Sequence, residues 1–298
     1  MSFLKDRDLK NRVARIFMLA ITVFSCMIII FMVVGLLWRS RPILATHRLS
    51  ELLLSSTWLP MRGEFGFYPF IIGTFWVTLL AMLFSIPLCL LTAIYLTEYA
   101  PTRIRALVTP LIDLLAGIPS VVYGLWGILV LVPFIKYLAP FFGRSTSGYC
   151  LLTGGVVLAI MVFPIIIAVS AEVVKAIPQE IREVSLSLGA TRWQTVKHVV
   201  LRAALPGLIA AVVLGFSRAF GETMAVLMVV GNVPILPSSV FEPAYPLPAL
   251  IANNYGEMMS IPLYDSALLF AALILLLIVF IFSIGARLVL LRVEREVQ

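Results

Sequence analysis

The 298 residues are 61% hydrophobic and only 12% charged, against about 25% charged in ordinary soluble domains. That balance excludes a soluble globule, because one core of this length cannot hide so much apolar surface. The net charge of +7 is a topology signal rather than a nucleic-acid footprint, because of where the cations fall.

Apolar runs of about 20 residues are long enough to cross a bilayer. Six are expected, over 16–38, 70–96, 107–134, 150–171, 207–231 and 265–286. The fold class is therefore all-α, a polytopic membrane protein. Outside these runs, fifteen Lys and Arg fall on one side and six on the other. Cytoplasmic segments carry the basic excess, so both termini and residues 172–206 are expected in the cytoplasm of a multi-pass cell-membrane protein. The first run outlasts the roughly 7–15 apolar residues of a signal-peptide core, so it is expected to stay as a helix. Residues 1–69 then hold a cytoplasmic tail, the first membrane helix and an outer loop. Residues 70–290 form the core, and 291–298 a cytoplasmic tail.

In the outer loop, Trp58 and Tyr68 suit an interfacial aromatic belt. The third run is divided by Pro110, Pro119 and Pro133, with Asp113 near its start, which predicts a kink or a helix-loop-helix break. Its centre reads Gly117-Ile-Pro-Ser-Val-Val-Tyr-Gly-Leu-Trp-Gly. Pro119 frees backbone groups there, and Ser120 and Tyr123 bring hydroxyls that suit a polar path. A kinked packing helix explains the same residues equally well.

Residues 172–206 should make a short helix, a tight turn and a second helix. Pro178 suits the first helical turn, Gly189 a C-terminal stop, and Thr191 a cap for the next helix. In the fifth run, Gly207, Ala211, Gly215 and Ala219 form one stripe of small residues, and Ser217, Gly221 and Ala225 a second. Such stripes let helices approach closely in lipid. Arg218 lies near the middle of this run, where a charge needs a reason. Glu222 is expected one helical turn on, on the same face, with Thr223 beside it. The pair reads either as a packing ion pair or as an anion site, since a planar guanidinium suits an oxyanion. Residues 232–264 are proline-rich and lack basic residues, so they read as an ordered outer loop or re-entrant stretch.

Cys26, Cys89 and Cys150 sit in or beside apolar runs, and His47 and His198 are far apart. No metal site, disulfide framework or cofactor is expected.

Glu183, Gly189 and the apolar Val199 and Leu201 together resemble the EAA loop of binding-protein-dependent ABC permeases. Val184 and Ser185 stand where that loop usually has two alanines, and Arg202 where it has a proline. The Gly117–Gly127 stretch, Arg218-Ala-Phe-Gly-Glu-Thr-Met-Ala-Val and Ile251-Ala-Asn-Asn resemble the phosphate-specific permeases, and their C-type subunit more than the A-type partner. The resemblance implies a type I ABC importer architecture. It also implies a heterodimer with a second permease subunit, two ATP-binding subunits on the cytoplasmic face and a soluble phosphate-binding protein outside. It assigns Glu183, Gly189, Ala190, Thr191 and Trp193 to the ATPase-coupling loop. Arg218 and Glu222 become pathway charges, with Thr223, Ser120 and Tyr123 alongside. The chain has no Gly-Lys pair and hence no P-loop, so the ATPase should be another chain and this one no enzyme. A permease for another oxyanion or small solute, or a channel subunit without ATP coupling, stays open. A membrane enzyme lacks support, since neither H-E-x-x-H, C-x-x-C nor clustered intramembrane carboxylates occur.

Overall fold

The computed structural model describes residues 2–257 and 261–297, with side chains described over 11–257 and 261–292. In chain order it comprises α1 (Ser2–Arg39), α2 (Arg41–Thr46), α3 (Leu49–Leu54), a hairpin of β1 (Trp58–Leu59) and β2 (Glu64–Phe65), and α4 (Tyr68–Ile94). There follow α5 (Thr102–Gly117), α6 (Ser120–Trp126), α7 (Val132–Leu138), α8 (Leu151–Lys175), α9 (Gln179–Ser187) and α10 (Arg192–Thr195). The last are α11 (Leu201–Gly221), α12 (Met224–Val229), α13 (Leu247–Asn254) and α14 (Tyr264–Val297). Wider π-type turns join α6 to α7 and α10 to α11 and extend α4 to Tyr99.

Among the described residues, six helical stretches are long and apolar enough to cross a membrane: Asn11–Arg39, Tyr68–Tyr99, Ser120–Phe142, Leu151–Lys175, Arg192–Gly221 and Tyr264–Arg292. The third is displaced from its expected place at 107–134. Pro119 lacks an N–H and pushes Ile118 into extended backbone (ψ 128°), so helix α5 stops at Gly117 and α6 restarts at Ser120. Leucines 107, 111 and 114 of α5 are exposed, and their apolar character fused two separate elements into one apparent run.

The core is the long pairing of α4 with α8, sealed by Val77, Ala81, Leu158, Ala159, Val162 and Ile166. Ser85 donates its hydroxyl to the carbonyl of Ala81 (2.6 Å), within its own helix. Helix α11 lies on α8 through the first small-residue stripe. A Cβ on Gly207 would meet Val173 and one on Gly215 would meet Ile166, each within 2.6 Å, while Ala211 is fully buried. The second stripe does not survive as one helical face, because α11 ends at Gly221 and Ala225 belongs to α12.

Helix α1 meets α14 and otherwise presents Ile16, Phe17, Phe24 and Phe31 outward, as a helix apolar all round does in lipid. Trp58 is the hub of a second cluster, with its ring 4.9 Å from Phe70 and 5.4 Å from Phe67. Residues 232–246 are ordered against the start of α8, where Leu151 and Leu152 donate their N–H groups to the carbonyls of Glu242 and Val240. These are amides the helix cannot satisfy itself. The chain then turns back in, burying Leu247, Ala249 and Leu250 of α13 against α14.

Candidate translocation path and coupling loop

Two helix breaks define the candidate path. One is Ile118–Pro119, between α5 and α6. The other is at Glu222, whose extended backbone (φ −74°, ψ 127°) ends α11 before α12 begins. Helices α6 and α12 lie side by side. A Cβ on Gly124 would fall 2.5 Å from Met228 Sδ and 3.3 Å from Ala225 Cα, so a larger residue would have to displace Met228 and ease α12 away. The two breaks therefore stand beside each other.

Tyr123 is 6% exposed and donates its hydroxyl to the carbonyl of Leu115 (2.8 Å), spanning the first break. That carbonyl is in the last turn of α5, where it also accepts the Ile118 N–H (3.3 Å), so the hydroxyl is its second donor. Ser120 opens α6, half-buried. Arg218 lies in the last turn of α11, exposed on this chain. Glu222 accepts the N–H of Ala225 (3.2 Å) and so caps α12. Thr223 follows it, half-buried.

The expected same-face Arg218/Glu222 pair is corrected by this geometry. Glu222 is the first residue beyond α11, and its carboxylate turns forward to the Ala225 N–H instead of back to Arg218. Among the described residues the ion pairs are Lys175–Glu172 (2.7 Å) and Arg182–Glu98 (2.8 Å), and Arg218 with Glu222 is not one. Arg218 also occupies a helix C-terminus rather than mid-helix, where unmet carbonyls favour a cation.

The 172–206 loop folds as its turn residues predict. Helix α9 ends where Gly189 takes the left-handed backbone (φ +84°). Thr191 caps α10 by a reciprocal box: its Oγ1 accepts the Gln194 N–H (3.3 Å), and Gln194 Oε1 accepts the Thr191 N–H (2.8 Å). Pro178 sits one place earlier than expected, as the cap itself. Between α9 and the next helix is a groove lined by Ile181, Val184, Leu188 and Val199. Leu188 is 83% and Trp193 54% exposed, leaving an apolar knob uncovered at one end of the bundle, with Glu183, Ala190 and Thr191 around it. What the sequence did not point to is the ion pair of Arg182 with Glu98, which ties this knob to the end of α4.

Six helical stretches able to cross a membrane, with a knob of short helices where the fourth leads into the fifth, suit a membrane transport component. The chain belongs to the family described as the inner membrane component of binding-protein-dependent transport systems, which matches residues 85–295. It is 44% identical to a probable ABC transporter permease protein, YqgH, of Bacillus subtilis, over 80% of this chain and 76% of that one. It is 37% identical to the phosphate transport system permease protein PstC of Xylella fastidiosa, over 97% of this chain and 94% of that protein. Its fold is that of the MetNI methionine ABC transporter in an inward-facing conformation, with a TM-score of 0.58 at 22% identity. That likeness covers 74% of this chain and 93% of the other. A bacterial alginate importer superposes with a TM-score of 0.56 at 15% identity, over 76% of this chain and 79% of that one.

Proposed function

We infer that this chain is a permease subunit of an ATP-driven importer of inorganic phosphate. The observation that carries this is the near full-length match to a phosphate transport permease, 37% identical over 97% of the chain. The solute crosses beside the paired breaks at Pro119 and Glu222. Arg218 supplies the charge an oxyanion needs, Ser120, Tyr123 and Thr223 supply hydroxyls, and Glu222 tempers the field. This follows from general physics: binding must be strong enough to admit an anion and weak enough to release it. A guanidinium offers the donors a phosphate accepts.

The 172–206 end faces the cytoplasm, where the positive charge gathers. Its exposed Leu188 and Trp193 are covered by an ATP-binding subunit, a separate chain, so this subunit does no chemistry itself. Exposed Arg218 and the bare face of α5 meet a second permease subunit, and a soluble phosphate-binding protein docks at the opposite end.

The test is uptake by the reconstituted complex. ATP-dependent accumulation of labelled phosphate, blocked by arsenate but not by excess sulfate, is expected. Accumulation of another oxyanion instead overturns the phosphate assignment. Downhill flux indifferent to ATP makes the chain a channel subunit. Cysteines placed in 172–206 should resist impermeant reagents in intact cells, and cysteines in 232–246 should react.

A further inference from the structure

The last turn of α4, residues 95–99, is gripped by arginines from three elements. Arg105 of α5 donates Nε to the carbonyl of Leu96 (2.8 Å) and Nη2 to that of Thr97 (2.7 Å). Arg182 of α9 donates Nε and Nη2 to the Glu98 carboxylate at 3.2 and 2.8 Å. Arg192 of α10 donates to the Glu98 carbonyl, and its guanidinium lies 5.1 Å from the ring centre of Tyr99. Arg182 also reaches the carbonyls of Val174 (2.9 Å), in the last turn of α8, and Ile177 (2.5 Å), just beyond it. The Glu98–Arg182 pair is largely buried, with side chains 10% and 14% exposed.

Both halves of the coupling knob therefore hang on one residue. The same turn holds the start of α5, which runs to the break at Pro119 and the Leu115–Tyr123 hydrogen bond. We propose that Glu98 is a positioning residue for transport, the joint through which movement of the 172–206 knob is passed along α5 to the translocation path. An ATP-driven shift of the knob moves Arg182 and Arg192, Glu98 follows because its carboxylate and carbonyl are held by both, and α5 follows through Arg105. Without the joint the knob still binds its motor, but α5 is no longer obliged to move with it. The proposal rests on reading the chain as an ABC permease subunit.

The experiment uses the full complex in a Cys26→Ser background, since Cys26 is exposed while Cys89 and Cys150 are buried. Leu115→Cys, at a site 40% exposed, reports movement of α5 by its rate of maleimide labelling. Rates are compared nucleotide-free and after ATP and vanadate trapping. With Glu98 intact the two rates should differ by about 5-fold or more, the low end of ordinary allosteric coupling. Glu98→Gln should bring them within about 2-fold while complex abundance and basal ATP hydrolysis persist. Arg182→Lys, which keeps the charge but loses the fork, should give an intermediate ratio. A nucleotide response unchanged in Glu98→Gln overturns the proposal, as does a response missing with Glu98 present. Loss of assembled complex in both variants also overturns it, leaving the pair as a fold-holding bridge. No phosphate enters these readouts. A working joint in a complex that moves another solute therefore sinks only the functional reading.

Discussion

The Tyr123 hydroxyl closes the gap between α5 and α6 by donating to the carbonyl of Leu115, eight residues back, at 2.8 Å. The bond crosses the junction just ahead of the third span, where Pro119 supplies no helical N–H. It therefore fixes the angle between the two helices.

Tyr123→Phe removes that donor and leaves the ring in place. A neutral hydrogen bond contributes about 1 kcal/mol, so the complex should assemble at near-normal abundance. Uptake should fall by about 3- to 10-fold as the break loosens. Wild-type uptake at equal abundance would falsify the role given to the hydroxyl.

Glu222 separates charge from capping. Its Oε1 accepts the Ala225 N–H at 3.2 Å, and a glutamine carbonyl can do the same. Glu222→Gln should keep assembly and change transport, slowing phosphate release because Arg218 is no longer tempered. Glu222→Ala should also lose about 1 kcal/mol of stability through the uncapped amide. Thermal unfolding of both variants, read beside uptake, distinguishes the two losses. Equal melting points would show that the cap contributes nothing.

The number of membrane spans was legible in the sequence because burial in lipid demands about 20 apolar residues in a row, and six such stretches occur among the described residues, although the third and fifth lie elsewhere than 107–134 and 207–231. The knob was legible too, because Gly189 and Thr191 act on their own neighbours. The break at Glu222 was not. Gly221-Glu222-Thr223 contains no proline to mark a stop, and the contact of α12 with α6 around Gly124 beyond it exists only in the folded chain. The Glu98–Arg182 pair was invisible for a different reason, since its members are 84 residues apart and only the folded chain joins them. Part of the candidate path was thus readable as residue types, but its geometry was set by tertiary packing.

Glu242 carries a pH dependence. The Ser238 N–H donates to its carboxylate at 2.7 Å and the Ser238 hydroxyl at 2.8 Å, and these, helped weakly by Arg144, hold the carboxyl below the usual carboxylate range. A lowered folded value means the contribution is complete above the unfolded value of about 4.3. It is lost as pH falls through the folded value. The melting point of Glu242→Gln should therefore lie below wild type at pH 6 to 8, and the gap should close in acid below about pH 4. A gap that stays constant into acid would mean that the carboxylate does not hold residues 238–242.

Gly189 is the hinge of the knob. Its backbone sits at φ +84° with no atom within 4 Å of a built Cβ, so a larger residue meets strain rather than collision. A β-branched side chain in the left-handed region costs about 1–2 kcal/mol or more, and Asn tolerates that region. Gly189→Val should distort the turn in which Ala190 donates to the Ser185 carbonyl at 3.3 Å. It should leave insertion intact while ATP hydrolysis no longer drives uptake. Gly189→Asn should couple nearly normally. ATP hydrolysed per phosphate moved is the quantity to measure, and equal ratios in wild type, Asn and Val would place the grip on the ATPase elsewhere.

Arg218 decides whether the two breaks form a path at all. It ends α11, exposed on this chain and outside any ion pair with Glu222 among the described residues. Removing it therefore strands no buried carboxylate partner, and the roughly 3–5 kcal/mol cost of breaking a buried pair does not apply. Arg218→Ala should assemble normally yet lower uptake by about 30-fold or more, the effect of about 2 kcal/mol lost from an anion's passage. Arg218→Lys should recover only part of this, because an ammonium lacks the planar fork that holds two phosphate oxygens. ATP hydrolysis stimulated by the binding protein should persist in both variants, since the coupling loop is untouched. Abundance, stimulated hydrolysis and uptake measured on the same preparations settle the matter. If uptake falls only in step with abundance, Arg218 merely helps the two permease subunits pack, and the anion crosses by another route.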